Sequence, residues 1–193
     1  MQKAKNFQTL RLILGDQLNG QHSWYNSTNN DVLYVLMEIQ PESEYVTHHI
    51  QKIMGIFAAM RSFATQLENQ GHHVIYFKIN QADNLHSFEK NIKHLIREYG
   101  ITRFEFQEPD EYRLDQLLLE ASKKFGIPFE MHSTEHFLTN RTELKEFFSN
   151  RKTYLMESFY RYMRKKWNVL MEGDQPLTGK WNYDQSNRKK LPK

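Results

Sequence analysis

The chain has 193 residues, 39% hydrophobic and 13% aromatic, enough for one domain of ordinary size with a sizeable core plus an appendage. It has no cysteine, which excludes disulfides, thiolate zinc sites and cysteine-ligated iron–sulfur clusters within this sequence, and it has no eighteen-residue apolar run to span a membrane. The net charge of +3 is unevenly spread: Arg151–Lys193 holds 11 basic and 4 acidic residues, whereas the rest holds 15 basic and 19 acidic. A basic segment on a mildly acidic body fits either a polyanionic partner or a solvated linker that meets another domain, and composition favours the second reading. The opening stretch, Met1–Gln17, carries only a short apolar run with Arg11 inside it. It reads as a strand rather than a signal peptide, so the expected location is cytoplasmic.

Five short apolar runs read as strands buried on both faces: Leu10–Leu14, Val32–Met37, Val74–Phe77, Arg103–Phe106 and the weaker Ile127–Met131. The connection Asp16–Asp31 is short and rich in Asn, with room for a brief helix at most. Between the second and third runs the spacing predicts a long helix over Tyr45–Gln70. Its apolar stripe is Val46, Ile50, Ile53, Phe57, Met60, Ala64 and Leu67, with Ser43 as N-cap and Gly71 as the stop. Two more helices are expected over Leu85–Tyr99 and Glu111–Phe125, stopped by Gly100 and Gly126. Strands alternating with helices imply an α/β fold. The expected form is a five-stranded parallel, Rossmann-like sheet in the order 3-2-1-4-5, with helices on both faces. This domain is expected over residues 1–135. Residues 136–193 read as a helical and extended interdomain linker, with helices over Arg141–Asn150 and Thr153–Asn168 and no regular structure after them.

In such a sheet ligands bind beyond the carboxyl ends of the strands, where the strand order reverses. The residues expected there are Gly15, Asp16, Gln17 and Leu18 after the first strand, and Glu38 after the second. Tyr45, His49 and Lys52 join them, about one turn apart at the start of the long helix. Amide, carboxylate, imidazole and aromatic groups together suit a polar, planar small molecule. Neither GxxxxGK[ST] nor GxGxxG follows the first strand, which disfavours ATP and NAD. His48-His49 and His72-His73 are adjacent pairs that point apart and cannot share an ion easily, so no metal site is expected. Asp110, Glu111 and Asp115 open a helix, where acidic groups suit the dipole, and no catalytic residue is assigned. In Thr153–Asn168 the stripe Met156, Tyr160, Met163 and Trp167 runs beside Arg161, Arg164, Lys165 and Lys166. That pattern serves nucleic-acid binding or packing on a neighbouring domain with its charges in water, and packing is the simpler account.

Several stretches, in order along nearly the whole chain, resemble the deoxyribodipyrimidine photolyase-related proteins, a bacterial branch of the photolyase/cryptochrome superfamily. They are Leu10–Leu18, Tyr34–Ile53, Phe57–Ala64, Phe106–Leu118 and Tyr154–Lys193, the last with its GKWNYD core at Gly179–Asp184. The resemblance implies an antenna domain that holds 6,7-dimethyl-8-ribityllumazine. It also implies a helical domain beyond this sequence that carries FAD and a 4Fe-4S cluster. The implied partners are that helical domain and damaged DNA, with no membrane. The implied activity of the parent protein is light-driven repair, of (6-4) photoproducts in many members, and this piece alone is not expected to catalyse it. A cryptochrome-type photoreceptor without repair, and a stand-alone nucleotide- or flavin-binding module, are the alternatives. The antenna contacts implied by the resemblance fall on Gly15, Asp16, Gln17, Leu18, Glu38, Tyr45, His49 and Lys52.

Overall fold

The computed structural model describes residues 6–184, so the final basic stretch from Gln185 lies outside the described residues. The chain divides after Leu138 into two compact units. The first contains β1 (Thr9–Leu12), a single 3-10 turn (Ser23–Tyr25), β2 (Val32–Met37), α1 (Gln40–Glu44), α2 (Ile50–Asn69) and β3 (His73–Phe77). It continues with α3 (Phe88–Tyr99), β4 (Arg103–Gln107), α4 (Tyr112–Lys123) and β5 (Phe129–His132). The five strands form one sheet in the order β3-β2-β1-β4-β5, and every pairing is parallel. The α/β fold and strand order expected from the sequence are therefore present.

Alternation along the strands sorts the side chains into two layers. Leu10, Leu12, Leu33, Val35, Met37, Phe104 and Phe106 point to one face and pack with Phe88, Ile92 and Leu95 of α3 and Leu118 of α4. Ile13, Val32, Tyr34 and Leu36 point to the other, beneath Met60, Phe63, Ala64 and Leu67 of α2 and beside Trp24. The second face turns polar toward β4 and β5. There Glu105 is buried and accepts from Arg11 and Arg103, each at 2.8 Å, while Arg11 lies 4.8 Å from the Trp24 ring centroid. Gly100 ends α3 with φ 64°, a left-handed conformation that a side chain disfavours, and its N–H closes on the Ile96 carbonyl.

The region between β2 and β3 differs from the sequence expectation. One helix over Tyr45–Gln70 is not formed; the chain makes the short α1, a turn, and then α2. Pro41 sits in the first turn of α1, where its missing N–H costs nothing. Ser43 lies inside α1 and donates to the Gln40 carbonyl, so it does not cap the long helix. That role falls to His49, which is extended and accepts from the Gln51 N–H through Nδ1 at 3.2 Å. Val46 and Ile50, placed in the apolar stripe by spacing, are exposed.

A buried carboxylate pins α2 to the sheet. Glu38, just beyond β2, is fully buried. It accepts from Arg61 Nε at 2.6 Å and Nη2 at 2.9 Å, from the Tyr76 hydroxyl at 2.7 Å and from the Ile79 N–H at 2.8 Å. Burial alone would raise this carboxyl, but the hydrogen bonds from Arg61, Ile79 and Tyr76 outweigh it and hold the group below its ordinary value.

The second unit contains α5 (Glu143–Phe148), α6 (Met156–Lys166) and a hairpin of β6 (Met171–Glu172) with β7 (Gln175–Pro176). The hairpin was not expected after α6. Arg164, read from the sequence as part of a solvated flank, is buried instead. It donates to the carbonyls of Val169 at 3.0 Å, Leu170 at 2.6 Å and Trp181 at 3.3 Å, and so satisfies groups that follow the helix end. Tyr160 and Trp167 remain half-exposed.

The Glu38 anchor yields a stability test. Glu38→Gln removes a charged acceptor shared by three partners and is expected to lower stability by roughly 1.5–3 kcal/mol, read by urea unfolding at neutral pH. A depressed folded-state carboxyl contributes stability above its unfolded value and loses it as pH falls through the folded one. The wild-type chain should therefore lose stability more steeply than the variant as pH drops below 4.5, the unperturbed value. Parallel acid profiles for the two proteins would remove Glu38 as the anchor.

Candidate functional site

Strand order reverses between β1 and β4. The chain leaving β1 crosses toward β2 on one face of the sheet, and the chain leaving β4 enters α4 on the other. A cavity of about 430 Å³ opens at this end of the strands, within the size range of small-molecule sites. Its floor is apolar, made by Leu14, Met37, Ile39, Ile56, Met60 and Phe88. Its rim is polar: Asp16 follows β1, Glu42 and Ser43 lie on α1, and Tyr45 and His48 lie in the turn. Lys52 begins α2, and Glu111 precedes α4.

Gly15 gives the floor its depth. A Cβ there would lie 3.1 Å from Met60 Sδ and 3.2 Å from Ile56 Cγ2, closer than ordinary contact. Asp16 beside it has its carboxyl raised, first by burial and further by the neighbouring Asp110 and Glu111. Glu42 and Glu111 are held by Arg113. The rim thus offers carboxylates and hydroxyls that accept, with Lys52 and His48 on one side.

Of the residues expected from the sequence, Gly15, Asp16, Tyr45 and Lys52 line the cavity; the other four do not. Gln17 is buried and turned inward. Its Oε1 accepts from the Leu14 N–H at 3.1 Å, and its Nε2 donates to the carbonyls of Gln107 at 3.3 Å and Glu108 at 3.2 Å. It ties the ends of β1 and β4 together beneath the opening. Leu18 packs with the Trp24 and Phe63 cluster. Glu38 has its carboxylate engaged by Arg61 and Tyr76, as above, because the side chain after Met37 points to the α2 face. His49 caps α2. With Tyr45 and His49 outside the helix, the shared helical face expected for Tyr45, His49 and Lys52 does not exist.

Residues missed by sequence reasoning include Glu42, Ser43, His48, Ile56 and Met60. Lys52, Ile56 and Met60 recur at four-residue spacing, a signal that was available. Glu42 and His48 were hidden by the unread break between α1 and α2. Among the described residues one acidic and imidazole cluster has metal-ligand spacing: Glu105, Glu130 and His132. Its Glu105 oxygens are already taken by Arg11 and Arg103, so it is an ion-pair network in a polar part of the sheet.

Residues 11–193 match the family model described as deoxyribodipyrimidine photo-lyase-related protein. A (6-4) photolyase of Agrobacterium fabrum is 39% identical over 181 residues, covering 93% of this chain and 36% of that protein. The chain thus spans about a third of the length of that relative. An uncharacterized protein of Acanthamoeba polyphaga mimivirus is 26% identical over 176 residues, covering 87% of each. The chain belongs to the deoxyribodipyrimidine photo-lyase-related protein family.

Proposed function

We propose that this chain is the antenna-pigment domain of a photolyase-like flavoprotein that repairs DNA with light. The observation that carries this reading is the switch-point cavity of about 430 Å³, apolar below and acceptor-rich at the rim, in a chain of this family. A ribityl-lumazine matches that division. Its flat ring suits the floor of Leu14, Met37, Ile56 and Met60, and its ring N–H and ribityl hydroxyls suit Asp16, Ser43 and Lys52. The bound pigment supplies light absorption and passes excitation to a flavin. The protein's own part is to hold the ring, orient it and exclude water. No bond is broken in this site.

FAD, a 4Fe-4S cluster and the lesion-binding surface belong, on this reading, to a helical domain outside this sequence, and the substrate is DNA carrying (6-4) photoproducts. A lesion must leave the base stack to reach such a flavin. A second reading is supported by the mimivirus relative, which is matched over 87% of its length: the same α/β domain then occurs without a large partner domain, as a stand-alone pigment- or nucleotide-binding module.

Purified chain titrated with 6,7-dimethyl-8-ribityllumazine should shift the pigment's absorption and quench its fluorescence at one site per chain. Riboflavin 5′-phosphate should bind at least about tenfold more weakly, because its phosphate meets a rim with three carboxylates. Binding of the phosphate compound alone would favour the stand-alone nucleotide reading and overturn the lumazine assignment. Gly15→Val should abolish pigment binding while the circular dichroism spectrum stays unchanged, since the added methyls fill the floor against Met60 and Ile56. Finally, a full-length protein containing this chain, given FAD and blue light, should restore (6-4) lesions in duplex DNA. Reversible photoreduction without any loss of lesions would favour a photoreceptor.

A further inference from the structure

The cavity's mouth is bridged by one side chain that does not line it. Arg113, in the first turn of α4, donates to Glu42 of α1 through Nη1 at 3.0 Å and Nη2 at 2.5 Å. The same guanidinium donates to Glu111 through Nε at 2.8 Å and Nη2 at 3.2 Å. Its central carbon lies 4.4 Å from the centroid of the Tyr45 ring. Glu42, Tyr45 and Glu111 all line the opening. Arg113 therefore grips both edges of the mouth, through a two-pronged ion pair on each edge and a stacked ring on one.

The segment it grips has little else to hold it. α1 has five residues and none of them is buried. Tyr45 and Val46, which follow it, are about half exposed. From within the segment, the Gln40 N–H reaches out to His86 Nδ1 at 3.4 Å, a long bond. Low burial and exposed backbone bonds are the marks of a segment that opens locally. The two carboxylates on Arg113 also occupy its donors, so it is not poised as an anion receptor.

We infer that Arg113 is a latch: it holds the strap formed by residues 40–49 closed across the cavity and sets how fast a ligand exchanges. It is a positioning residue, acting through Glu42 and Tyr45. The ligand part rests on reading the cavity as the pigment site; the strap itself does not. A plain surface ion pair would leave the motion of the strap unchanged when broken. A latch makes closing depend on it.

The test separates the two claims. Amide hydrogen exchange is measured on the pigment-free chain for the wild type, Arg113→Gln, Arg113→Lys and Glu42→Gln. Residues 40–49 should exchange about tenfold faster in Arg113→Gln and Glu42→Gln, the effect of losing roughly 1.4 kcal/mol of local closure. β1 and α3 should be unaffected, and Arg113→Lys, which keeps charge but not the fork, should fall between. Release of bound lumazine, followed by fluorescence after dilution, should speed up by a similar factor while the association rate changes less. Unchanged exchange over residues 40–49 in both Arg113→Gln and Glu42→Gln overturns the latch. Should either variant fail to fold, the other gives the same reading from the opposite edge. If the wild-type chain takes up no lumazine, the pigment reading falls, and the exchange experiment still decides the latch.

Discussion

The cavity exists because two neighbouring parallel strands send their chains to opposite faces of the sheet. Between β1 and β4 they part, and the space above the ends is left for α1 and the start of α2 to wall. That opening is stable only if the strand ends beneath it stay together. Gln17 does this with one amide, accepting from the turn after β1 and donating to two carbonyls at the end of β4. Buried amides are seldom left unpaired, and here all the bonds of Gln17 point at the seam rather than into the cavity.

Two polar residues near the site, Gln17 and Glu38, carry structure instead of ligand contacts. Each is buried, and each has its polar atoms engaged by protein. Glu38 fixes α2 through Arg61, and α2 supplies Lys52, Ile56 and Met60 to the wall and floor. The cavity's shape therefore depends on a charged pair set well to one side of it. Removing a partner from such a pair leaves a buried charge without compensation, which is why its loss costs more than its presence contributes.

The sheet was legible in the sequence because each of its strands is a short apolar run set apart from the next by a helix-length segment. Gly100 and Gly126 stood where the chain must turn left-handed. The site was half legible. Gly15 and Asp16 follow directly from the end of β1, and Lys52 from the helix it begins. Glu42 and His48 were lost because a continuous periodic stripe hides a break whose signals are local. Pro41 at a helix start was a readable signal; a histidine as N-cap is not one that propensity favours. The same imbalance recurs in the second unit. Gly173-Asp174 between Glu172 and Gln175 is a hairpin turn pair, yet its two-residue strands lack the apolar alternation that would have drawn attention to it. Arg164 carries no mark in the sequence of the three carbonyls it must satisfy, because two come from the turn after the helix and the third, of Trp181, from beyond the hairpin.

The carboxylates of the rim differ in kind, and that difference bears on what the site accepts. Glu42 and Glu111 share one arginine, whose single charge offsets half of theirs. Asp16 is not among that arginine's partners; burial, Asp110 and Glu111 push its carboxyl upward, against a hydrogen bond from its own backbone N–H and the pull of His136. A carboxylate in that position suits a ligand that donates to it, such as a ring N–H or a hydroxyl, better than a phosphate, which adds like charge.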